Sequence, residues 1–166
     1  MSSILWYLDV MDYFKAYGIE VGQGKYHEET IYGIVLVYTA IFNGIASYLD
    51  RYGLTPAKFN VLMVIKHQGQ QKGISQIDIG NRLMVTASNM TRLLEKLGRE
   101  GLIVRSALIG DKRVKVIKVT PKGSKLLDSA WPGYEATVKK LAAHLSKEEQ
   151  KIIARLTQKW FYSLRH

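Results

Sequence analysis

The chain has 166 residues, 47% hydrophobic and 23% charged, a balance that fits a soluble globular fold rather than a disordered segment. It has no cysteine, which excludes disulfides, thiol catalysis and thiol-based redox sensing. Its formal net charge is +10, so a polyanionic partner is the first to consider.

The N-terminal stretch, Ser2 to Tyr17, is apolar and aromatic. Ile4, Leu8 and Met11 fall on one helical stripe, and Trp6, Val10, Tyr13 and Tyr17 on another. A helix apolar on two faces needs two surfaces to bury them, on the body of the protein or on a partner subunit; the alternative is a frayed arm. Gly18 to Lys25 holds three glycines and reads as a linker. A long helix is predicted from His27 to Arg51. Ile31, Val35, Tyr38, Phe42, Ile45 and Leu49 alternate steps of four and three along it, and Ile34, Leu36, Val37, Ala40 and Ile41 broaden the apolar surface. Such a surface calls for burial on more than one side, including against a second subunit. No apolar run is counted that reaches the ~20 residues of a bilayer span, and no signal-peptide pattern opens the chain. The expectation is a cytoplasmic protein off the membrane.

Thr55 is a good cap and Pro56 a good first residue for the next helix, which carries Phe59, Leu62, Met63 and Ile65 to about His67. Gln68 to Gly73 reads as a loop. Ile74 reads as a brief strand, and Ser75 as the cap of a short helix ending near Leu83. Met84, Val85 and Thr86 form the turn into a helix from Ala87 to Glu100. In it Met90, Leu93, Leu94 and Leu97 make one apolar stripe. Ser88, Arg92, Glu95 and Arg99 lie opposite, flanked by Asn89, Thr91 and Lys96. This is a helix-turn-helix whose second helix presents small polar and basic side chains, suited to base edges and phosphates. Glu95 opposes phosphate, and Arg99 four residues on is its natural partner.

Gly101 ends that helix. Leu102 to Ser106 and Val114 to Val119 read as two strands, with Ile109 to Lys112 as the hairpin tip. Thr120 and Pro121 open a helix towards Ala130, which Pro132 and Gly133 are expected to kink or break. Apolar spacing resumes at Val138, Leu141, Ala142 and Leu145. Ser146 and Glu149 form a capping box for a last helix with Ile152, Ile153, Leu156, Trp160 and Leu164 on its apolar face. From Asn81 to Lys125, eleven basic residues stand against three acidic ones, so this quarter of the chain holds +8 of the +10. The cluster coincides with the helix-turn-helix, which favours a nucleic acid as the polyanion.

The run from Leu54 to Gly123 resembles the MarR family of winged-helix transcription regulators. The matches come in order: Leu54 and Thr55 with Phe59 and Leu62; Ser75 and Gln76 with Leu83; Ser88 to Leu97; Gly101, Leu102 and Ile103 with Arg105; Asp111, Lys112 and Arg113; and Val119 to Gly123. The resemblance implies a mainly α fold with a small β wing, a winged helix-turn-helix flanked by long N- and C-terminal dimerisation helices. The implied division is 1–53 for dimerisation, 54–120 for DNA binding and 121–166 for dimerisation. It implies a homodimer on a pseudo-palindromic double-stranded DNA operator. By position, Ser88, Asn89, Thr91, Arg92 and Lys96 belong to the recognition helix. Arg113 is the wing residue for the minor groove, oriented by Asp111, with Lys112 and Lys115 near phosphates. The family's repressors often sense a small aromatic effector in a crevice, for which Tyr38, Phe42, Phe59 and Met63 are candidates, although ordinary core packing explains each of them as well. The extended N-terminus, to about Tyr26, exceeds the family pattern.

Two other readings compete. A winged-helix protein-interaction module, or a nonspecific DNA binder, is kept open by the aromatic N-terminal helix. An enzyme finds little support. His27, His67, His144 and His166 are scattered without metal-ligand spacing, and there is no phosphate-cradling glycine loop or nucleophile elbow. No cofactor or metal is expected.

Overall fold

The computed structural model describes residues 5–70, 72–108 and 111–165, with the side chains of 5–10, 108 and 111–114 outside that description. In chain order the elements are α1 (Leu5–Ala16), α2 (Tyr26–Asp50), α3 (Pro56–Val64) with a π-helical turn (Ile65–Gly69), α4 (Gln76–Leu83), α5 (Ala87–Arg99), β1 (Ile103–Leu108), β2 (Asp111–Val119), α6 (Pro121–Ala142) and α7 (Lys147–Arg165). They form two compact units, one ending at Asn43 and the other beginning at Gly44, with α2 running through both.

In the first unit Phe14 and Ile19 are buried, while Tyr13 and Tyr17 are exposed. Phe14 stands on neither stripe read from the sequence. It is the residue that packs, with its ring against Gly33 on α2. Ile4, Trp6, Leu8 and Val10, from the two expected stripes, have side chains outside the described residues. The stripe on α2 is uncovered at Ile31, Val35, Tyr38 and Phe42, and closes only at its end, where Leu49 is buried in the second unit. By length and composition α2 qualifies as a candidate membrane span, which corrects the count made from sequence. Tyr, Thr, Asn and Ser interrupt its apolar run, yet residues 30–49 carry no charge.

The second unit is built on one core, with Leu49, Phe59, Leu62, Ile65, Ile79, Met90, Leu94, Leu97 and Leu127 among its most buried side chains. Each side chain of this size contributes roughly 1.5–3 kcal/mol on burial. Caps set the helix starts: the Thr55, Ser75 and Thr120 hydroxyls accept from the N–H groups of Lys58, Asp78 and Gly123. At α7, Ser146 and Glu149 exchange hydrogen bonds as a capping box. Helix α3 continues as the π turn to Gly69, where a loop was expected from Gln68, and Gln70 then leaves the helix at φ +40°. Strands β1 and β2 pair antiparallel with Ile103 opposite Val119, and Ile74 bridges to Ile117 at the sheet edge as expected. β1 reaches Leu108 and β2 begins at Asp111, so the strands extend further towards the tip than the alternation suggested. The remaining tip residues, Ile109 and Gly110, lie outside the described residues.

The expected break at Pro132 does not occur, for α6 runs through it to Ala142. A proline inside a helix costs about 3 kcal/mol through its missing donor and ring clash. Packing offsets this locally. Leu127 and Ala130 are buried, and the Tyr48 hydroxyl donates to the Ala130 carbonyl at 2.8 Å. Gly133 leaves space for the Tyr48 ring, where any Cβ would collide with it. Burial pushes the Tyr48 phenol above its ordinary value of 10.0, helped by its hydrogen bond with Tyr52.

Candidate nucleic-acid interface

Helices α4 and α5 and the turn between them place the candidate residues. Met84 closes α4 in the left-handed conformation, at φ +52°, and the Val85 N–H reaches the Gly80 carbonyl at 3.1 Å. That sharp exit lets α5 begin three residues later. Met90, Leu94 and Leu97 seal the inner face of α5 into the core, with Leu93 half-buried beside them. Because 3.6 residues make a turn, sealing this stripe turns Ser88, Asn89, Arg92, Glu95, Lys96 and Arg99 outward, and all six are exposed.

The start of α5 differs from the other capped starts. Thr86 occupies the capping position but its side chain makes no capping hydrogen bond. The first-turn N–H groups of α5 therefore keep their capacity for an incoming acceptor, and the helix end favours negative charge. Thr91 is placed differently from its neighbours. It is half-buried, its hydroxyl donates to the Ala87 carbonyl at 2.9 Å, and it accepts from the Gln76 amide at 2.7 Å. Its single proton is thus spent inside the protein. Glu95 and Arg99 make no ion pair, among the described residues, where the sequence offered one.

The far end of α5 is anchored on three sides. Lys58 donates to both carboxylate oxygens of Glu100, at 2.7 and 2.9 Å, and its side chain is only 7% exposed. Lys122 donates to the Glu100 carbonyl at 2.8 Å, and Thr120 to the Gly101 carbonyl at 2.7 Å. Of the three acids in the basic stretch, Glu100 is thereby compensated internally.

The wing strands follow. Arg105 and Lys115 are exposed, and their side chains make no ion pair among the described residues. Asp111, Lys112 and Arg113 lie on β2, and their side chains are outside the described residues. Of the crevice candidates, Phe59 is a core residue stacked on Tyr134, with centroids 4.5 Å apart, and Met63 packs partly buried against the same core. Tyr38 and Phe42 stack on one another on the other unit, with centroids 5.8 Å apart. The sequence marks Gln76 and Arg105 only as matches to the family pattern, and Arg105 as one of the basic cluster. The bond to Thr91 singles out Gln76 in the structure. Among the described residues no cluster of His, Asp or Glu could hold a metal ion.

Comparison with known proteins places this geometry. A family model described as MarR family matches residues 52–114. The HTH-type transcriptional regulator MhqR of Bacillus subtilis (strain 168) is 28% identical over 122 residues, 74% of this chain and 82% of that protein. The uncharacterized HTH-type transcriptional regulator YkoM of the same strain is 31% identical over 127 residues, 74% and 80% of the two chains. Among solved structures, the S. aureus MepR–DNA complex is similar at a TM-score of 0.72 and 26% identity, covering 80% of this chain and 96% of that one.

Proposed function

Because the chain belongs to the MarR family of winged-helix transcription regulators, we propose that it acts as a homodimeric repressor that sets one α5 per protomer into the major groove of a pseudo-palindromic operator. The observation that carries this is the face of α5. It combines an N-terminus without a side-chain cap with exposed Ser88, Asn89, Arg92 and Lys96, on a helix whose opposite stripe is sealed in the core. Ser88 and Asn89 read base edges, Arg92 and Lys96 take guanine or phosphate, and Thr91 holds Gln76 rather than a base. Asp111, Lys112, Arg113 and Lys115 form the wing contact, with the Arg113 guanidinium in the strong negative potential of a narrow minor groove.

In this reading 54–120 binds DNA, while 1–53 and 121–166 dimerise. The uncharged length of α2 and the exposed Ile152, Ile153, Leu156 and Leu164 of α7 supply the apolar surface that a second copy covers, in the cytoplasm and not in a bilayer. The reading needs no cofactor. A small aromatic effector would release the operator by preferring the dimer arrangement that does not fit DNA.

Selection from a random duplex pool at physiological salt tests this. Enrichment of a pseudo-palindrome is the expected result, and binding without enrichment would refute sequence-specific regulation in favour of nonspecific binding. On the selected duplex, Arg92→Ala and Arg113→Ala are each expected to weaken binding by about 1–3 kcal/mol without unfolding the protein.

A further inference from the structure

Between the wing sheet and the start of α4 lies a cleft of about 320 Å³, lined by Gln76, Arg105, Ser106, Ala107, Lys115 and Ile117. The strand register explains its charge. Arg105 is opposite Ile117, and Ala107 is opposite Lys115. Alternation along a strand puts these four side chains on one face, with Arg105 and Lys115 as diagonal neighbours across the ladder. Like charges so placed repel one another, and none of the lining residues is acidic. Among the described residues neither cation has an ion-pair partner. What would relieve the repulsion is an anion between them.

Gln76 fixes where that anion comes from. Its amide donates to Thr91 Oγ1 at 2.7 Å, and Thr91 in turn is tied to the Ala87 carbonyl in the first turn of α5. The amide nitrogen carries a second N–H, not used by Thr91. The cleft is therefore joined by two hydrogen bonds to the start of the helix read as entering the major groove. Its lining residues are separate from the Asp111, Lys112 and Arg113 segment of the wing.

The geometry points to this cleft as a seat for one backbone phosphodiester of the bound duplex, held by Arg105 and Lys115 as cations and by Gln76 as a directional donor. Thr91 is then a positioning residue that acts through Gln76. The inference rests on the DNA-binding reading above and adds Arg105, Gln76 and a defined phosphate position to it.

The test uses the full-length protein and the selected duplex, with phosphates replaced one at a time by neutral methylphosphonates. In the wild type, one replacement in each half-site should weaken binding about tenfold through this seat. Arg105→Gln should itself lose about tenfold and be insensitive to that same replacement, while remaining sensitive to the others. Its salt dependence should fall by about one unit for each protomer on the duplex. Lys115→Gln should show the same insensitivity. Both side chains are exposed, so these changes leave the core untouched. If Arg105→Gln and every methylphosphonate act additively, the cleft holds no phosphate and the proposal fails while DNA binding stands. If the wild type binds no duplex at all, the DNA-binding reading fails, and this inference with it.

Discussion

Lys58 and Glu100 join the first turn of α3 to the end of α5, and removing one partner or the other should have unequal consequences. The Lys58 side chain is 7% exposed and that of Glu100 34%. With Glu100→Gln the ammonium stays buried and loses its counter-charge. Its other acceptor, the Gly53 carbonyl, is 3.4 Å away, too long for a strong hydrogen bond. Breaking a buried pair from one side costs ~3–5 kcal/mol, and the glutamine oxygen retains part of that, which leaves about 2–3 kcal/mol. Lys58→Met keeps most of the buried stem's volume and leaves a carboxylate that water can reach, so about 1 kcal/mol is expected. The double variant should cost less than the sum of the two, because no charge is left buried alone. Urea unfolding followed by helical circular dichroism, at one fixed protein concentration, measures all three. A loss for Lys58→Met equal to or larger than that for Glu100→Gln would refute the assignment of Lys58 as the desolvated partner.

Three further outcomes follow from local geometry. Gly123→Ala should destabilise by about 3 kcal/mol in the same assay, since a Cβ there would run into the Leu102 carbonyl oxygen, a backbone atom that cannot rotate away. The Ser106 hydroxyl is buried and has no hydrogen-bond partner among the described residues, so Ser106→Ala should raise stability by about 1 kcal/mol; a loss would show that the hydroxyl is paired. The hydrogen bond from Lys66 to Asp128, with the lysine's charge and the Ser124 hydroxyl, holds the Asp128 carboxyl below its ordinary value of 3.8. Its folded pKa being depressed, the pair's contribution is present above that ordinary value and lost as pH falls through the lower folded one. Lys66→Met should return the carboxyl towards the ordinary value in an NMR titration.

What the sequence by itself determines is local. The Met90, Leu93, Leu94 and Leu97 stripe and the caps at Thr55, Ser75, Thr120 and Ser146 are specified by residues within a few positions of one another. For that reason the order of elements and the outward face of α5 were legible. Ser88, Asn89, Arg92 and Lys96 stand on that face as the periodicity required. What only the tertiary structure decided depends on distance. Lys58 meets Glu100 across 42 positions, and Gln76 meets Thr91 across 15, so no pattern in the chain could show that the Thr91 hydroxyl turns inward. Pro132 reads locally as a helix breaker. It sits inside an unbroken α6, at a turn where Tyr48, 82 positions before Ala130, adds a hydrogen bond and a packed ring. Arg105 is one basic residue among many in the sequence, and it becomes part of a cleft only when antiparallel pairing sets Lys115 diagonally across from it. Periodicity reports which face a side chain takes on its own element, but not what stands opposite, and in the candidate interface the opposite element sets each side chain's surroundings.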